Sequence, residues 1–277
     1  MTDTQDPSLN PVFLNAIRNF RPIDDTFMRN LFRNSIETAQ IVLRILLNVP
    51  DLSVTFLNTQ VDLKRITGSR GLCLDVLATD SAGRKYDIEV QRESSDASPL
   101  RSRYHASAMD VENLQQGMDF DELPDTYVIF ITEKDYFRLN QPVYKIQRII
   151  LNSGKPFDDG SYILYVNGEY RDNSDIGRLM HDFCCSNPED MLIPELAART
   201  KYLKTNEKEI RLMCKQMEEI KREGFKEGES FGFTTGINTR NMELAVKMLN
   251  EGNSIEKIAS FLDASIEQVN KWISEGK

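Results

Sequence analysis

The segment LDVLATDSAGRKYDIEVQR, residues 74–92, constrains the fold more than any other part of this 277-residue chain. Two runs rich in β-branched, aromatic and other apolar residues flank DSAG, whose residue types favour turns. The pattern predicts an antiparallel hairpin with strands at residues 72–79 and 84–92. Successive side chains of a strand point to opposite faces, so the second strand has one apolar and one polar face. The apolar set is Tyr86, Ile88 and Val90, and the polar set is Asp87, Glu89 and Gln91.

The position of the turn predicts which side chains face each other across the hairpin. Asp75 lies fourteen residues before Glu89, and the midpoint, Ala82, is in the middle of the predicted turn. In a hairpin symmetric about Ala82, Asp75 and Glu89 are cross-strand neighbours with Cβ atoms about 4.5–5.5 Å apart. A bulge in the loop would shift this register by one residue.

Two facing carboxylates repel each other, and a divalent cation between them makes the arrangement favourable. Mg²⁺ binds one or two carboxylates, keeps several waters and accepts phosphate oxygens from a substrate. Gln91, on the same face as Glu89, could orient an attacking water or hold a phosphate oxygen, but an amide supplies no positive charge. The alternative interpretation is that these polar side chains are solvated on the outer face of an edge hairpin.

The remaining pattern up to about residue 190 is that of a mixed α/β domain. Apolar spacing and Pro50 predict one or two helices before the hairpin, and a continuous β-branched and aromatic run predicts a buried central strand after it. The predicted elements are helical residues 26–48, a strand at 54–61, a helix at 98–118, and strands at 126–133 and 161–166.

Beyond about residue 190 the pattern is helical. Apolar residues repeat every seven positions within 196–222, which predicts a long helix that either makes a short coiled-coil contact or packs on its own domain. Residues 223–236 contain four glycines and predict a linker. Residues 237–277 contain capping-box patterns, at Asn253 to Glu256 and Ser265 to Gln268. They predict a small tail that resembles a helix-turn-helix, with a plain helical hairpin that mediates association as the alternative.

Composition limits the classes of function. The net charge is −9 and the acidic excess lies in the middle of the chain, which argues against a simple DNA-binding module that relies on basic residues. Two histidines exclude a multi-histidine metal site, and the four cysteines lack zinc-ligand spacing. No apolar run is long enough to cross a membrane, and the N-terminus lacks the pattern of a signal peptide. We therefore expect a cytoplasmic protein without a membrane partner.

Asp75, followed by the strand with Glu89-x-Gln91, preceded by helices and followed by a helix and a buried strand, resembles the PD-(D/E)XK nuclease fold. The chain resembles more closely the bacterial PD-(D/E)XK nuclease family transposases, or recombination-promoting nucleases, in the stretches PIDDTFMRNLF, RSRYHASAMD and IGRLMHDF. The resemblance covers residues 22–215. It implies an α/β fold with a restriction-endonuclease-like core in residues 1–195, a mixed β-sheet flanked by helices, and a C-terminal helical extension.

The resemblance also implies a Mg²⁺-dependent or Mn²⁺-dependent DNA endonuclease that hydrolyses phosphodiesters with metal-activated water. Asp75 and Glu89 correspond to the metal ligands, and Gln91 occupies the position of the motif lysine. Many such cores use a further Glu from the first helix, for which Glu37 is the candidate.

The start of the helix after the hairpin carries three candidate DNA contacts, Arg101, Arg103 and Tyr104. His105 beside them is expected to be structural. Because glutamine lacks the charge of the motif lysine, a second hypothesis is a catalytically weak or inactive DNA-binding or assembly protein of mobile-element origin. The heptad pattern and the tail further predict a homodimer through the C-terminal helices.

Overall fold

A six-stranded mixed β-sheet forms the centre of the first of two units in the computed structural model, which describes residues 10–63 and 71–275. The strand order is β1-β2-β3-β4-β8-β5, and a separate two-stranded ribbon joins β6 to β7. The strands are β1 (Val54–Leu63), β2 (Leu72–Asp80), β3 (Lys85–Gln91), β4 (Thr126–Thr132), β5 (Val143–Ile146), β6 (Ile149–Ile150), β7 (Lys155–Pro156) and β8 (Ser161–Asn167). Pairing is parallel from β3 through β4 to β8 and antiparallel elsewhere.

Helices flank this sheet. Those of the first unit are α1 (Pro11–Asn19), α2 (Asp25–Phe32), α3 (Ile36–Leu47), α4 (Pro99–Asn113), α5 (Asp175–Phe183) and α6 (Pro194–Thr205). α4 packs against β4, β2 and β8, and α2 contacts β1, β2 and β3. Among the described residues, none of the helices combines the length and hydropathy that crossing a membrane requires.

The hairpin β2–β3 has the register that the turn predicted. Val76 pairs with Ile88 and Ala78 with Tyr86, so the ladder is symmetric about Ala82 and has no bulge. Gly83 has φ of +83°, a left-handed conformation that glycine adopts without steric cost. Continuing this register places Asp75 opposite Glu89.

β3 is a central strand, so the alternative of an edge hairpin with a solvated polar face is wrong. β3 pairs with β2 on one side and with β4 on the other, and six of its seven residues are buried. The parallel pairing with β4 joins segments about 40 residues apart in the sequence, and helix α4 covers part of the sheet. Both faces of β3 are therefore inside the protein.

α6 fixes the end of α2 next to the sheet. The guanidinium of Arg199 donates to the backbone oxygens of Leu31 at 3.1 Å and Arg33 at 2.7 Å. The last carbonyls of a helix lack partners within the helix, and a positive charge there is favourable. This contact holds α2 in the position from which its side chains reach the site.

The predicted single helix at 196–222 is two helices. α6 ends at Thr205, and α7 (Glu207–Asn250) begins after Asn206, whose backbone is extended. The Asn206 side chain accepts hydrogen bonds from the backbone N–H of Lys208 at 3.0 Å and of Glu209 at 3.3 Å. Asn favours such a capping position over the interior of a helix, and this local preference interrupts the heptad pattern.

The predicted linker at residues 223–236 is also wrong, because these residues are helical and belong to α7. Each glycine inside a helix costs about 1 kcal/mol relative to alanine. No proline interrupts the segment, however, and good helix formers such as Lys226 and Glu229 stand between the glycines. Four glycines without an apolar run were thus an insufficient reason to predict a linker.

The second unit begins at Met217, within α7, and includes α8 (Ile255–Phe261) and α9 (Ile266–Glu275). Ser254, and not the predicted Asn253, caps α8 by accepting from the backbone N–H of Lys257, while Ser265 accepts from that of Gln268. The unit has its own apolar core, formed by Ala245, Ile258, Ala259, Val269, Trp272 and Ile273.

Candidate functional site

Four carboxylates lie buried on the hairpin β2–β3; Asp80 pairs with Arg84 at the turn, and the other three form the candidate site. Asp75 is 8% exposed, and Asp87 and Glu89 are fully buried. The alternation along β3 places Asp87 and Glu89 on one face, and the hairpin register adds Asp75 from the neighbouring strand. Acidic residues are almost never fully buried unless they are paired, so such a group indicates a special environment.

Three donors from different elements hold the carboxylate of Glu89. Its Oε1 accepts from the backbone N–H of Asp75 at 2.9 Å. Its Oε2 lies 3.3 Å from Nε2 of Gln91 and 3.4 Å from Nη2 of Arg101 on α4. Strand β2, strand β3 and helix α4 thus converge on this side chain.

Asp75 faces α2. Nε of Arg29 lies 3.4 Å from Oδ1 of Asp75, although the angle does not make a hydrogen bond. Burial raises the pKa of Asp75, the positive charge of Arg29 opposes that shift, and the negative charge of Asp25 adds to it. The acidic side chain that acts on Asp75 from the N-terminal helices is therefore that of Asp25.

Asp87 pairs with a buried histidine. Nδ1 of His105 lies 2.7 Å from Oδ2 of Asp87, and Nε2 of His105 accepts from Nε of Arg101 at 3.3 Å. A guanidinium group only donates, so Nε2 carries no hydrogen, and the neutral ring has its hydrogen on Nδ1 and donates it to Asp87. Burial lowers the pKa of His105, in agreement with a neutral ring.

Burial disfavours the ionised forms of these carboxyl groups. Burial raises the pKa of Asp87 to about 8 and that of Glu89 to about 9, and the neighbouring carboxylates add to the shift of Glu89. Oδ1 of Asp87 is buried and has no hydrogen-bond partner in the described part of the chain. Ligand-type atoms of Asp87, Glu89 and His105 lie within 4.8 Å of one another. Of these, the carboxylates of Asp87 and Glu89 are the ones that can bind an ion, because Nδ1 of His105 carries a hydrogen and Nε2 accepts from Arg101. The donors present, mostly carboxylate oxygens, therefore fit a divalent metal ion.

A groove of about 660 Å³ lies beside these residues. Its lining includes Cys73 on β2, Asp96, and Arg101, Tyr104 and His105 of α4. Arg101 is thus shared between the groove and the buried carboxylate of Glu89. The groove gives an extended ligand access to the edge of the site.

The structure brings together some of the predicted site residues. Asp75, Gln91 and Arg101 each contact Glu89, whereas Arg103 and Tyr104 are exposed on α4. Glu37 lies exposed in the first turn of α3, where its charge acts on Arg199. The contacts described here do not bring Glu37 to the hairpin.

Sequence reasoning missed three residues of the site. Asp87 was placed on the polar face of β3 without a role, and His105 was expected to be structural. The four-residue spacing of Arg101 and His105 on a predicted helix was a usable signal, because such side chains are neighbours. Arg29 gave no local signal, since its contact with Asp75 depends on how α2 packs against the sheet.

A buried acidic pair on a hairpin, followed on the second strand by an amide at the motif position, in a mixed sheet flanked by helices, defines a nuclease-like α/β core of the restriction-endonuclease type. The model of the family described as PD-(D/E)XK nuclease family transposase matches residues 31–172. The chain belongs to this family, and both the predicted family and the predicted fold class are confirmed. The comparisons with curated proteins and with solved structures found no match.

Proposed function

We propose that this protein is a metal-dependent DNA endonuclease of the transposase or recombination-promoting type. The observation that carries the proposal is the contact between Asp75 and Glu89 on a buried hairpin, in a chain that belongs to a nuclease family. The raised pKa values of Asp75 and Glu89 support the proposal as well. Carboxyl groups whose pKa values are raised by burial release their protons more readily when a cation binds between them.

Asp75 and Glu89 are the proposed ligands of Mg²⁺ or Mn²⁺. When bound, such an ion supplies the Lewis acidity that activates water and offsets charge at a phosphoryl group. Gln91 lies within hydrogen-bond distance of Glu89, and its amide is suited to orient the attacking water or a phosphate oxygen. Asp75 and Glu89 would thus hold the ion, and Gln91 would orient the water or the phosphate.

DNA is the proposed substrate, and the N-terminal half of α4 is the proposed contact surface. Arg101 and Tyr104 line the groove beside the acidic cluster, and Arg103 is exposed on the same helix. Arginine donates to phosphate oxygens, and an aromatic ring can stack on a base or pack on a sugar. Binding at this surface would bring the phosphodiester backbone to Glu89.

The experiment is nicking of a supercoiled plasmid in Mg²⁺ or Mn²⁺. Asp75→Asn and Glu89→Gln keep the size of each side chain and remove its charge, so nicking should fall at least about 10²-fold. The matched control is Glu93→Gln, the same change at an exposed acid near the site, which should nick like the native protein. Nicking that persists in both ligand variants would refute the proposal.

A second candidate function is a catalytically weak or inactive DNA-binding or assembly protein of mobile-element origin. The observation that favours it is Gln91, which brings no charge to the position of the motif lysine. Such a protein binds the plasmid without nicking it, and calorimetric titration with Mg²⁺ or Mn²⁺ gives no heat at the hairpin. Binding assays run beside the nicking assay therefore separate the two functions.

Two further properties are proposed. A homodimer through the C-terminal helices is supported by three phenylalanines of α7, Phe225, Phe231 and Phe233, which are each more than 70% exposed. A cytoplasmic location is supported by the four cysteines, which are all free thiols. We also propose that the helix-turn-helix-like tail takes part in DNA binding or in assembly of the homodimer.

A further inference from the structure

A nuclease site that lacks the motif lysine needs another source of positive charge near the reacting phosphate. Gln91 is neutral, and Asp75, Asp87 and Glu89 are acidic. We infer that Arg101 supplies this charge and that the buried pair of His105 and Asp87 positions it. The inference rests on the proposed function, because it assigns a charge within that same reaction.

Of the arginines that the structure describes, Arg29 and Arg101 lie near these carboxylates, and they differ in the acidic groups that neutralise their charge. Arg29 lies between Asp75, at 3.4 Å, and Asp25, at 4.0 Å. Within the described residues Arg101 forms an ion pair with Glu89 alone, and its side chain remains 38% exposed at the groove. Arg101 is therefore the arginine that joins the metal-binding carboxylate to the surface that an extended substrate can reach.

The hydrogen bonds of Arg101 leave part of its guanidinium group available. Nε donates to His105 and Nη2 donates to Glu89, while Nη1 has no hydrogen-bond partner among residues 10–63 and 71–275. A guanidinium group has five N–H donors in one plane, an arrangement that matches two oxygens of a phosphate. The remaining donors are suited to a phosphate held next to Glu89.

His105 and Asp87 form a rigid support for Arg101. Both are fully buried, and the His105 ring also packs edge-on against Phe130 with 5.7 Å between ring centroids. Arg101 and His105 are one helical turn apart on α4, and Asp87 and Glu89 are two residues apart on β3. The four side chains therefore form a chain of contacts between one helix and one strand. Nδ1 of His105 also lies 3.8 Å from Oε1 of Glu89, and these contacts fix the guanidinium relative to the Glu89 carboxylate.

The hydrogen-bond directions assign His105 a positioning role and not that of a metal ligand. Its Nδ1 faces Asp87 at 2.7 Å and Glu89 at 3.8 Å, and this nitrogen carries the hydrogen because Nε2 accepts from Arg101. A protonated ring nitrogen has no lone pair for a metal. Coordination through Nδ1 would require the opposite tautomer and the loss of the bond from Arg101.

The first experiment measures single-turnover cleavage of a DNA duplex in Mg²⁺ by the full chain. Arg101→Ala should slow the chemical step about 10²-fold or more, while calorimetric binding of Mg²⁺ persists. Added guanidinium ion should restore part of the rate, and the same concentration of NaCl should not. The matched control is Arg178→Ala, an exposed arginine on α5, which should cleave like the native protein and not respond to guanidinium. An Arg101→Ala protein with the native rate, or without rescue, overturns the inference.

The second experiment tests the positioning pair. His105→Ala should lower the rate about 10-fold to 100-fold with little change in KM, and the double variant with Arg101→Ala should be no slower than Arg101→Ala alone. Independent, multiplicative losses would overturn the positioning role. So would a loss of metal affinity in His105→Ala that Arg101→Ala does not share, because that result would make His105 a metal ligand.

A third measurement does not depend on activity. The chain has two histidines, so ¹⁵N NMR of the native protein and of His181→Gln assigns the His105 ring. We expect a neutral ring with its hydrogen on Nδ1, and a change of the Nε2 signal in Arg101→Ala. A hydrogen on Nε2 overturns the positioning pair. Native protein that shows the expected tautomer but cleaves no DNA overturns the proposed function and the charge assigned to Arg101, and leaves the support of Arg101 by His105 standing.

Discussion

The backbone N–H of Asp75 donates to Oε1 of Glu89 over 2.9 Å, so the side chain of one proposed metal ligand is held by the main chain of the other. The antiparallel ladder includes the pair Val76 and Ile88, and continuing its register by one residue places Asp75 opposite Glu89, where cross-strand neighbours on the same face are close. A carboxylate that accepts from the backbone has little freedom to rotate. The spacing between the two acids is therefore set by the strand pairing.

We expect Mg²⁺ to stabilise the native protein against heat. An ion that binds the folded state alone raises the free energy of unfolding by about 2.7 kcal/mol at one hundred times its dissociation constant. Glu89→Gln should lose this effect and Glu93→Gln should keep it. Differential scanning calorimetry with and without the ion measures both. Equal stabilisation of the two variants would show that the ion binds elsewhere.

Without a divalent ion, stability should fall as pH rises from about 5 to 9. A carboxyl whose pKa is raised on folding binds its proton more tightly in the folded state, so its contribution is complete below the unfolded pKa of about 4. The contribution is lost as pH passes the folded values, about 8 for Asp87 and about 9 for Glu89.

Each unit of difference in pKa between the two states corresponds to about 1.4 kcal/mol. Urea unfolding in EDTA at several pH values measures the slope, and Asp87→Asn should flatten it while keeping an acceptor for His105. A native protein whose stability does not change over this range would contradict the burial of these charges.

Gln91→Lys should rescue a protein that lacks Arg101. The lysine would bring an ammonium group to the position of an amide that lies 3.3 Å from Glu89. If Arg101 already provides the charge, the substitution should change the native rate only a few-fold but raise the rate of Arg101→Ala at least about 10-fold. Single-turnover cleavage measures all four proteins. An equal effect in both backgrounds would mean that the two charges act independently.

Asn206→Ala should destabilise the junction between α6 and α7. The substitution removes the side-chain acceptor for two backbone N–H groups, a change that typically costs about 1 kcal/mol. Urea unfolding measures the loss. Asn238→Ala, in the exposed part of α7, is the control and should cause no loss, since alanine is the better helix former. Equal effects would argue against the cap.

Replacing Phe225, Phe231 and Phe233 by serine should give a monomer if the C-terminal helices form the homodimer. Removing exposed apolar area from a helix that has no partner should leave the sedimentation coefficient unchanged, whereas loss of a dimer roughly halves the mass. Sedimentation velocity of the full chain, native and triply substituted, makes the comparison. A native protein that sediments as a monomer at all concentrations would refute the dimer.

The contacts within the hairpin were predictable from the sequence, and the contacts between segments distant in the sequence were not. The alternation along β3 and the centre of the DSAG turn were enough to pair Asp75 with Glu89, because a short hairpin turn fixes register. No such rule indicated that β3 is central, since its pairing with β4 joins distant segments. The contact of Arg29 with Asp75 depends on the packing of α2 in the same way.

Errors in the C-terminal half have a local cause. Four glycines without an apolar run suggested a linker at 223–236, yet helix propagation through Lys and Glu outweighed their propensity cost. At Asn206 the opposite happened, because one capping side chain ended a helix that the apolar repeat would have continued. At 223–236 helix propensity decided the structure, and at Asn206 a capping side chain did. The pattern of apolar residues and glycines did not indicate which of these effects would be larger.

The central position of β3 in the sheet determines how its backbone opens to solvent. Strands hydrogen-bonded on both sides open to solvent mainly through global unfolding, so the acids cannot drift apart to relieve their repulsion while the sheet persists. The amide hydrogens of β3 should be among the last to exchange with heavy water, and they should exchange later still when the carboxylates are neutralised. The proposed metal ligand Glu89 therefore lies in a segment that we expect to open only when the whole domain unfolds.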